Sequence, residues 1–253
     1  MEIEKYLDRI KYSGGLEPNL DLLRKLQKNH LFNIPFENLD IHNKVPIKLN
    51  IDRIYEKIVQ NNRGGFCYEL NGLFYELLLS LGYKAKRISV RVYNKDNAYS
   101  PEFDHFSIIV KIDNTDYLTD VGFGEFIFEP LELQLGKIQS DGRSYYLFDE
   151  YEDGYLRLNK IEEGTHIPEL IFKNIERNFD EFTEMCAYHQ SDPSSHFMKK
   201  KLISLPTANG RITISGKTLK ITNNNKIIEK ELKNQTEFEK ELLDKFKITI
   251  KSR

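Results

Sequence analysis

Cys67 lies in a sequence context in which a protein can activate a cysteine thiol. Cys67 follows Gly64 and Gly65 in the run Asn-Arg-Gly-Gly-Phe-Cys-Tyr-Glu-Leu-Asn at residues 62–71, and an apolar pattern with helical spacing continues to Leu81. This arrangement predicts that the cysteine lies in the first turn of a helix, where backbone N–H groups are unpaired and the helix dipole is positive. Both effects favour the thiolate, which is the nucleophilic form of cysteine.

The same cysteine also has a plainer interpretation. A lone cysteine in a protein is most often a small buried apolar residue without a role in chemistry. Its position after two glycines favours catalysis but does not decide the matter, because a nucleophile needs a base that accepts its proton. That base must come from elsewhere in the chain, which contains six histidines.

His105 is the histidine that its surroundings favour as the base. It begins an alternating strand pattern at residues 105–112, and a second strand pattern at residues 115–121 returns after Asp113 and Asn114. Asp and Asn tolerate positive φ, so these two residues predict a two-residue hairpin turn.

A two-residue turn fixes the register of this hairpin. Ile112 then faces Thr115, one side of the hairpin is mostly apolar, and Ser107 faces Asp120 on the other side. In this register His105 and Asp120 are diagonal neighbours on one face, so the carboxylate would hold one imidazole nitrogen and leave the other for the thiol. A three-residue loop would put the two residues on opposite faces.

Asp104 is a rival for the role of the carboxylate. It directly precedes His105 in the chain. However, adjacent residues of a strand point to opposite faces of a sheet, so Asp104 and His105 would diverge. We therefore prefer Asp120 as the partner of the base.

Helices that position these residues are indicated in the first third of the chain. Helical spacing predicts one helix near residues 19–29 and another that begins after Asn50 as its N-cap. The helix that begins near Cys67 is expected to end at Gly82, a residue that suits a C-terminal cap.

Strands dominate the middle of the chain. Alternation begins after Lys84 and returns at residues 144–148 and 155–161, whereas residues 185–197 are polar and rich in turn formers. Because helices are followed by sheet without a regular alternation of the two, the pattern predicts an α+β fold.

The last block of the chain combines short strands with one helix. Strand patterns occur at residues 211–214, 217–221 and 226–229. A helix follows, for which Thr236 and Glu239 form a potential capping box. This block is typical of a small α/β appendage on a larger unit.

Composition limits the possible partners. The 253 residues are 40% hydrophobic, and 37 basic against 39 acidic side chains give a net charge of −2, which indicates neither a nucleic acid nor an anionic membrane as a partner. No apolar stretch of about 18 residues and no signal-peptide pattern occurs, so we expect a cytoplasmic protein. Two cysteines do not make a disulfide framework, and the absence of metal-binding motifs argues against a structural zinc.

Five segments, in a consistent order, resemble the arylamine N-acetyltransferase family. The strongest is Arg-Gly-Gly-Phe-Cys-Tyr-Glu-Leu-Asn at residues 63–71, which is similar to the family signature around its nucleophile. The element Ile-Pro-Phe-Glu-Asn-Leu at residues 34–39 is also similar to a family motif. The remaining segments are residues 103–105 with 120–124, residues 185–197 and residues 210–216.

The resemblance implies a fold of three regions. These are an N-terminal helical bundle at residues 1–83, a central β-barrel at residues 84–198 and a C-terminal α/β lid at residues 199–253. The catalytic core would then be like that of the cysteine proteases.

The resemblance also implies a reaction and a site. Cys67, His105 and Asp120 would form a Cys–His–Asp triad, and Cys67 would take an acetyl group from acetyl-coenzyme A. The acetyl group would then pass to an arylamine, a hydrazine or an arylhydroxylamine. The partners that the resemblance implies are therefore coenzyme A and a small-molecule acceptor, and it implies that no metal is needed.

Other residues receive paired interpretations. Phe36 and Phe123 would line an aromatic acceptor pocket or serve core packing, and Glu37 with Arg63 indicates a structural ion pair. The family positions for coenzyme A correspond to Pro101 and Glu102, through the main chain only, and to Thr218. Cys186 and His189 are interpreted as buried structural residues.

Two alternatives to this function remain open at this point. A Cys–His–Asp order also serves amide hydrolases and transglutaminase-like enzymes, and nothing local to the three residues excludes them. The C-terminal appendage and the motif at residues 34–39 favour the acetyltransferases instead. A binding domain without catalytic activity is the other alternative, and the presence of all three triad residue types argues against it.

Overall fold

The chain forms helices first and two antiparallel sheets afterwards, which confirms the α+β prediction. The structure is a computed structural model and describes residues 1–94, 96, 98–124, 127–224 and 226–250. In this part of the chain, no helix combines the length and the apolar character that crossing a membrane requires.

The helical bundle surrounds the helix that carries Cys67. Its helices are α1 (Ile3–Arg9), α2 (Leu20–Asn33), α3 (Leu39–His42), α4 (Ile51–Tyr55), a π-helical turn (Glu56–Gln60) and α5 (Cys67–Ser80). The side chain of Asn19 caps α2, and that of Asn50 caps α4, each by accepting a backbone N–H bond. Gly82, with a φ of +88°, follows the end of α5 as predicted.

The larger sheet curves into a nearly closed barrel. Its strands are β2 (Lys84–Val92), β3 (His105–Ile112), β4 (Thr115–Thr119), β5 (Leu131–Glu132), β6 (Gln139–Ser140), β7 (Tyr145–Tyr151), β8 (Tyr155–Glu162) and β9 (Thr165–Phe172). Among the described residues their order is β5-β4-β3-β2-β9-β8-β7-β6. The edges β5 and β6 meet where the Gln139 side chain binds both the N–H and the C=O of Glu132, at 2.8 and 2.6 Å.

The hairpin of β3 and β4 has the predicted register. Ile112 pairs with Thr115 and Ile108 pairs with Thr119, where the regular ladder ends. The turn residue Asp113 has a φ of +53°, which fits a two-residue turn.

A smaller sheet and the last helix form the C-terminal region. After short helices at Phe179–Phe182, α6 (Thr183–Ser191) and α7 (His196–Lys199), the chain adds β10 (Leu202–Thr207), β11 (Gly210–Ser215), β12 (Thr218–Asn223), β13 (Lys226–Glu231) and α8 (Gln235–Phe246). The division of the chain at residues 83/84 and 198/199 stays a prediction.

One strand of this smaller sheet comes from the other end of the chain. The two-residue strand β1 (Phe36–Glu37) pairs antiparallel with β10. Asn38 follows it, and its buried amide donates to the carbonyls of Phe197 and Lys200 at 3.0 Å and accepts from Leu202 N at 2.7 Å. The helical region and the C-terminal sheet are therefore joined by backbone pairing.

Some elements differ from the sequence prediction for identifiable reasons. The strands β9 and β10 were not predicted, and each contains a proline, which usually argues against a strand. Pro168 of β9 lies next to a register shift between Leu158 and Asn159, where the ladder tolerates it. The cap of α8 was predicted wrongly: Asn234, two residues before Thr236, accepts the Glu237 N–H at 2.9 Å.

A buried network of charges anchors the start of α5. Arg63 Nη2 lies 2.7 Å from Glu37 and 2.8 Å from Asp40, and Lys57 Nζ lies 2.8 Å from Asp40 and 2.9 Å from Glu69. Burial alone would lower the pKa of Lys57, but the charges of Glu69, Glu37 and Asp40 raise it above the usual value. The expected ion pair of Glu37 and Arg63 is confirmed as part of this larger network.

Arg63→Ala tests how much the network contributes to stability. The substitution leaves Glu37 and Asp40 buried with one cation fewer, so we expect the free energy of unfolding to fall by about 3–5 kcal/mol. Urea denaturation monitored by circular dichroism measures the change.

Lys25→Ala is the matched control. Lys25 pairs with Asp21 at 2.6 Å, but both side chains are more than half exposed, so no measurable loss is expected. Equal losses in the two variants would contradict a special contribution from the buried network.

Candidate active site

The loop before Cys67 requires its two glycines. A Cβ atom at Gly64 would lie 2.1 Å from the carbonyl oxygen of Pro35, and one at Gly65 would lie 2.8 Å from Glu69 Cβ. Cys67 is the first residue of α5, as predicted, and Glu69 Oε2 accepts the N–H of Phe66 at 3.2 Å. The thiol is thus set at the helix start by close backbone packing.

A third glycine brings the loop after β4 against the same helix turn. A Cβ atom at Gly122 would lie 2.8 Å from the carbonyl oxygen of Cys67, 2.9 Å from its Cα atom and 2.9 Å from Asn71 Nδ2. The loop that begins with Asp120 therefore packs directly on the first turn of α5.

His105 and Asp120 lie on the same face of the hairpin and are hydrogen bonded. The distance from His105 Nε2 to Asp120 Oδ2 is 2.6 Å, and both side chains are buried. This contact confirms the predicted geometry of the pair. Because the bond uses Nε2, it leaves Nδ1 of the imidazole for a second group.

The Asp120 carboxylate is stabilised in its ionised form. Burial alone would raise its pKa, but the charge of His105 and hydrogen bonds from His105, Ser107 and Asn71 hold the pKa below the usual value. An ionised Asp120 is what a protonated imidazole needs as its partner.

Asn71 connects α5, the helix that begins with Cys67, to this carboxylate. Its Nδ2 donates to Asp120 Oδ1 at 3.0 Å and to the Phe106 carbonyl at 2.7 Å, and its Oδ1 accepts the Val121 N–H at 2.8 Å. Sequence reasoning gave Asn71 no role. Its position four residues after Cys67, on the same helix face, was the available signal.

Burial outweighs the effect of the helix position on the pKa of the Cys67 thiol. Burial raises the pKa of this thiol well above the usual value, and the charges of Asp104 and Asp120 add to the increase. The Tyr68 N–H donates to the sulfur and opposes this rise, but by less. The expectation that the helix start favours the thiolate is therefore wrong for the isolated group, since desolvation outweighs it; a thiolate here needs an adjacent cation.

Asp104 has a different partner. His189 Nε2 lies 3.2 Å from Asp104 Oδ1, and Nδ1 of the same ring is hydrogen bonded to Ser195 at 3.2 Å. The preference for Asp120 over Asp104 as the partner of His105 is therefore confirmed. Cys186 and His189 are both buried, as expected of structural residues.

The two predicted aromatic residues occupy different surroundings. The ring of Phe123 stands edge-on to the His105 ring, with centroids 5.0 Å apart, and is half-buried. The ring of Phe36 is buried and packs against Phe197 at 6.0 Å. Phe123 thus borders His105, whereas Phe36 contributes to the core of the helical region.

No described contact links the three residues predicted to bind coenzyme A to one another. Pro101 is exposed, and the Glu102 carboxylate is engaged by the hydroxyls of Ser89 and Tyr155. Thr218 is exposed at the start of β12. Their roles stay predictions.

Three described cavities differ in how close they lie to the candidate triad. One of about 530 Å³ is lined by Asp104, the neighbour of His105, together with Val92, Tyr93, Asn94, Ser100 and His196. A larger cleft of about 750 Å³ has Lys57, Arg63 and Glu69 in its wall, and no triad residue lines it. A third cavity, of only about 10 Å³, is lined by Asp120 and Phe123 together with Pro206 and Arg211 of the C-terminal sheet, so it is the one in direct contact with a triad residue.

Comparison with known proteins gives matches over the full length of the chain. A family model described as N-acetyltransferase matches residues 19–253. The pineal gland arylamine N-acetyltransferase isozyme NAT-10 of Gallus gallus is 33% identical, over 99% of this chain and 95% of that protein. Arylamine N-acetyltransferase 1 of Homo sapiens is 30% identical over the same shares of the two chains.

Solved structures agree with the sequence matches. The arylamine N-acetyltransferase from M. tuberculosis superposes with a TM-score of 0.89 at 29% identity, covering 98% of this chain and 94% of that one. The Mycobacterium marinum enzyme, solved in complex with CoA, gives a TM-score of 0.89 at 30% identity, with 98% and 93% coverage.

These matches first define the class: an acyltransferase that moves acetyl groups to nitrogen. More closely, the chain belongs to the arylamine N-acetyltransferase family. The resemblance found in the sequence motifs is confirmed.

Asp120→Asn tests the pairing of carboxylate and base. The amide cannot stabilise a protonated His105, so we expect alkylation of Cys67 by iodoacetamide at pH 7 to slow by roughly 100-fold to 10⁴-fold. Peptide mapping distinguishes Cys67 from Cys186 as the labelled residue.

Asp116→Asn makes the same chemical change at the other end of the hairpin. Asp116 is half-buried and lies 3.9 Å from Lys111, away from the base. Its alkylation rate is expected to equal that of the unsubstituted protein. If Asp120→Asn also left the rate unchanged, the role of the carboxylate would be contradicted.

Proposed function

We propose that Cys67 carries the acetyl group between acetyl-coenzyme A and an arylamine, a hydrazine or an arylhydroxylamine. His105 is the base, and Asp120 orients it. The observation that carries the proposal is the 2.6 Å hydrogen bond between His105 Nε2 and Asp120 Oδ2. The loop that begins with Asp120 packs on the first turn of α5, where Cys67 lies.

The first step is transfer of the thiol proton. The proton moves from Cys67 Sγ to Nδ1 of His105, which gives a thiolate and an imidazolium. Asp120 stabilises the imidazolium through Nε2. Because burial disfavours the isolated thiolate, proton transfer and ion pairing have to occur together.

The thiolate then takes the acetyl group. It attacks the thioester carbonyl of acetyl-coenzyme A, a new C–S bond forms to Cys67, and the C–S bond to coenzyme A breaks. The imidazolium returns its proton to the leaving thiolate, so coenzyme A departs as a thiol. The N–H of Cys67, at the helix start, supports this step as a donor to the developing oxyanion.

The acceptor completes the cycle. Its nitrogen attacks the acetyl-Cys67 carbonyl, a C–N bond forms and the C–S bond to Cys67 breaks. His105 takes the nitrogen-bound proton and passes it to the Cys67 sulfur, which restores the thiol. The burial of Cys67, which is 2% exposed, favours transfer to an amine over hydrolysis because little water reaches the thioester. The edge-on ring of Phe123 supports recognition of a flat acceptor beside His105.

The cosubstrate is proposed to enter beside Asp104. The cavity of about 530 Å³ adjoins the His105 strand and is bordered by Ser100, one residue before Pro101. The M. marinum relative, which is 30% identical, was solved in complex with CoA, and this supports a coenzyme A site in the present chain. Contacts from Pro101 and Glu102 would come from the main chain, because the Glu102 carboxylate is already hydrogen bonded. Thr218 is the proposed contact from the lid.

The proposal also includes a reducing compartment. Cys67 and Cys186 are both free thiols in the structure. A nucleophilic thiol is preserved where glutathione and thioredoxin keep cysteines reduced, which favours the cytoplasm.

Acetylation without an acceptor tests the proposal. After incubation with acetyl-coenzyme A alone, intact-mass spectrometry is expected to find one added acetyl group per chain, and peptide mapping is expected to find it on Cys67. Release of coenzyme A should be stoichiometric in this phase and should become catalytic when an arylamine is added.

Two substitutions complete the test. Cys67→Ala should abolish both the mass increase and the release of coenzyme A. Cys186→Ser changes the second buried cysteine and should retain both. An acetyl group on Cys186, or none in the unsubstituted protein, would contradict the proposal.

A further inference from the structure

The Asp120 carboxylate binds more donors than its pairing with a base requires. Oδ1 accepts from Asn71 Nδ2 at 3.0 Å and from Gly122 N at 2.8 Å. Oδ2 accepts from His105 Nε2 at 2.6 Å and also from the hydroxyl of Ser107. The oxygen that holds the base is therefore shared with a serine.

Ser107 is placed for this contact by the hairpin itself. It lies two residues after His105 on β3, so the two side chains point to the same face of the sheet. Ile108 pairs with Thr119 at the end of the ladder, which brings Ser107 opposite Asp120. Sequence reasoning named this cross-strand pair without giving Ser107 a role.

The serine hydroxyl has a single described partner. Ser107 is fully buried, and in the described part of the chain its hydroxyl hydrogen bonds to Asp120 Oδ2 alone. Buried hydroxyls need a partner, and a neutral acceptor such as a backbone carbonyl would serve that need equally well. Here the acceptor is the charged oxygen that the base also uses.

This bond has two physical effects on the pair. A hydroxyl that donates to a carboxylate favours the ionised form, and the Ser107 bond is one of the causes that lower the Asp120 pKa. A second donor on Oδ2 also restricts rotation of the carboxylate, so that a lone pair stays directed at His105 Nε2.

We propose that Ser107 is a positioning residue, whose hydroxyl holds Asp120 Oδ2 in line with His105 Nε2 and keeps the carboxylate ionised while His105 is protonated. The inference rests on the proposed function, because Ser107 acts on the reaction only through Asp120 and His105. It adds Ser107 to the side chains that set the working pH range of the enzyme.

The pH dependence of the first half-reaction tests this role in Ser107→Ala. The single-turnover release of coenzyme A from acetyl-coenzyme A is measured from about pH 4 to pH 9. Loss of a bond to the ionised form raises the Asp120 pKa, so a proton binds the carboxylate at higher pH and the imidazolium loses its partner. We expect the acid limb to move up by about one pH unit and the plateau rate to fall about 10-fold.

Thr119→Val is the matched control. Thr119 is also fully buried in the same hairpin, and its hydroxyl donates to Gln27 rather than to the triad. Both variants lose one buried hydroxyl bond, so both should lower the melting temperature to a similar extent. The acid limb should move in Ser107→Ala and stay in place in Thr119→Val.

Ser107→Cys covers the case in which the alanine variant does not fold. The thiol is nearly the same size but a weaker donor, so the acid limb should move in the same direction by less. An acid limb that stays in place in either folded Ser107 variant would overturn the inference and leave the proposed function intact. An unsubstituted protein that releases no coenzyme A would overturn both.

Discussion

The Asp120 carboxylate is the point at which separate elements of the protein meet. It is buried and charged, and a buried carboxylate is tolerated only when donors surround it. Those donors come from α5 through Asn71, from β3 through His105 and Ser107, and from its own loop through Gly122. The packing of the helical bundle on the barrel therefore also completes the surroundings of this carboxylate, because displacing α5 would remove the Asn71 hydrogen bond.

At Cys67, burial and catalysis impose opposite demands. The closely packed glycine loop and the barrel keep water away from the sulfur, which protects a thioester but raises the thiol pKa. In the proposed mechanism the two demands are compatible, because the charge exists only as half of an ion pair with His105. In that mechanism the thiol is neutral at rest, and its reactivity is confined to the proton-transferred state.

The sequence predicted the register of neighbouring strands better than it predicted the surroundings that distant residues create. The relation of His105 to Asp120 followed from a two-residue turn and strict alternation, since the side-chain period of a strand leaves little freedom. The strands containing Pro168 and Pro206 were missed, because a proline is compatible with a strand only in pairings that the local sequence does not reveal. The high thiol pKa of Cys67 was missed for a similar reason: desolvation depends on residues distant in the chain.

The pairing of β1 with β10 limits how the C-terminal sheet can move. A strand from residue 36 and the three hydrogen bonds of Asn38 fasten this sheet to the helical region across some 160 positions of sequence. A chain that ended before β10 would leave the edge of β1 unpaired and the buried amide of Asn38 unsatisfied. The C-terminal segment that satisfies them is synthesised late, so this part of the structure forms last. Nascent chains would then depend on completion of the C-terminal region for a protected fold, and contacts of such long separation predict slow folding.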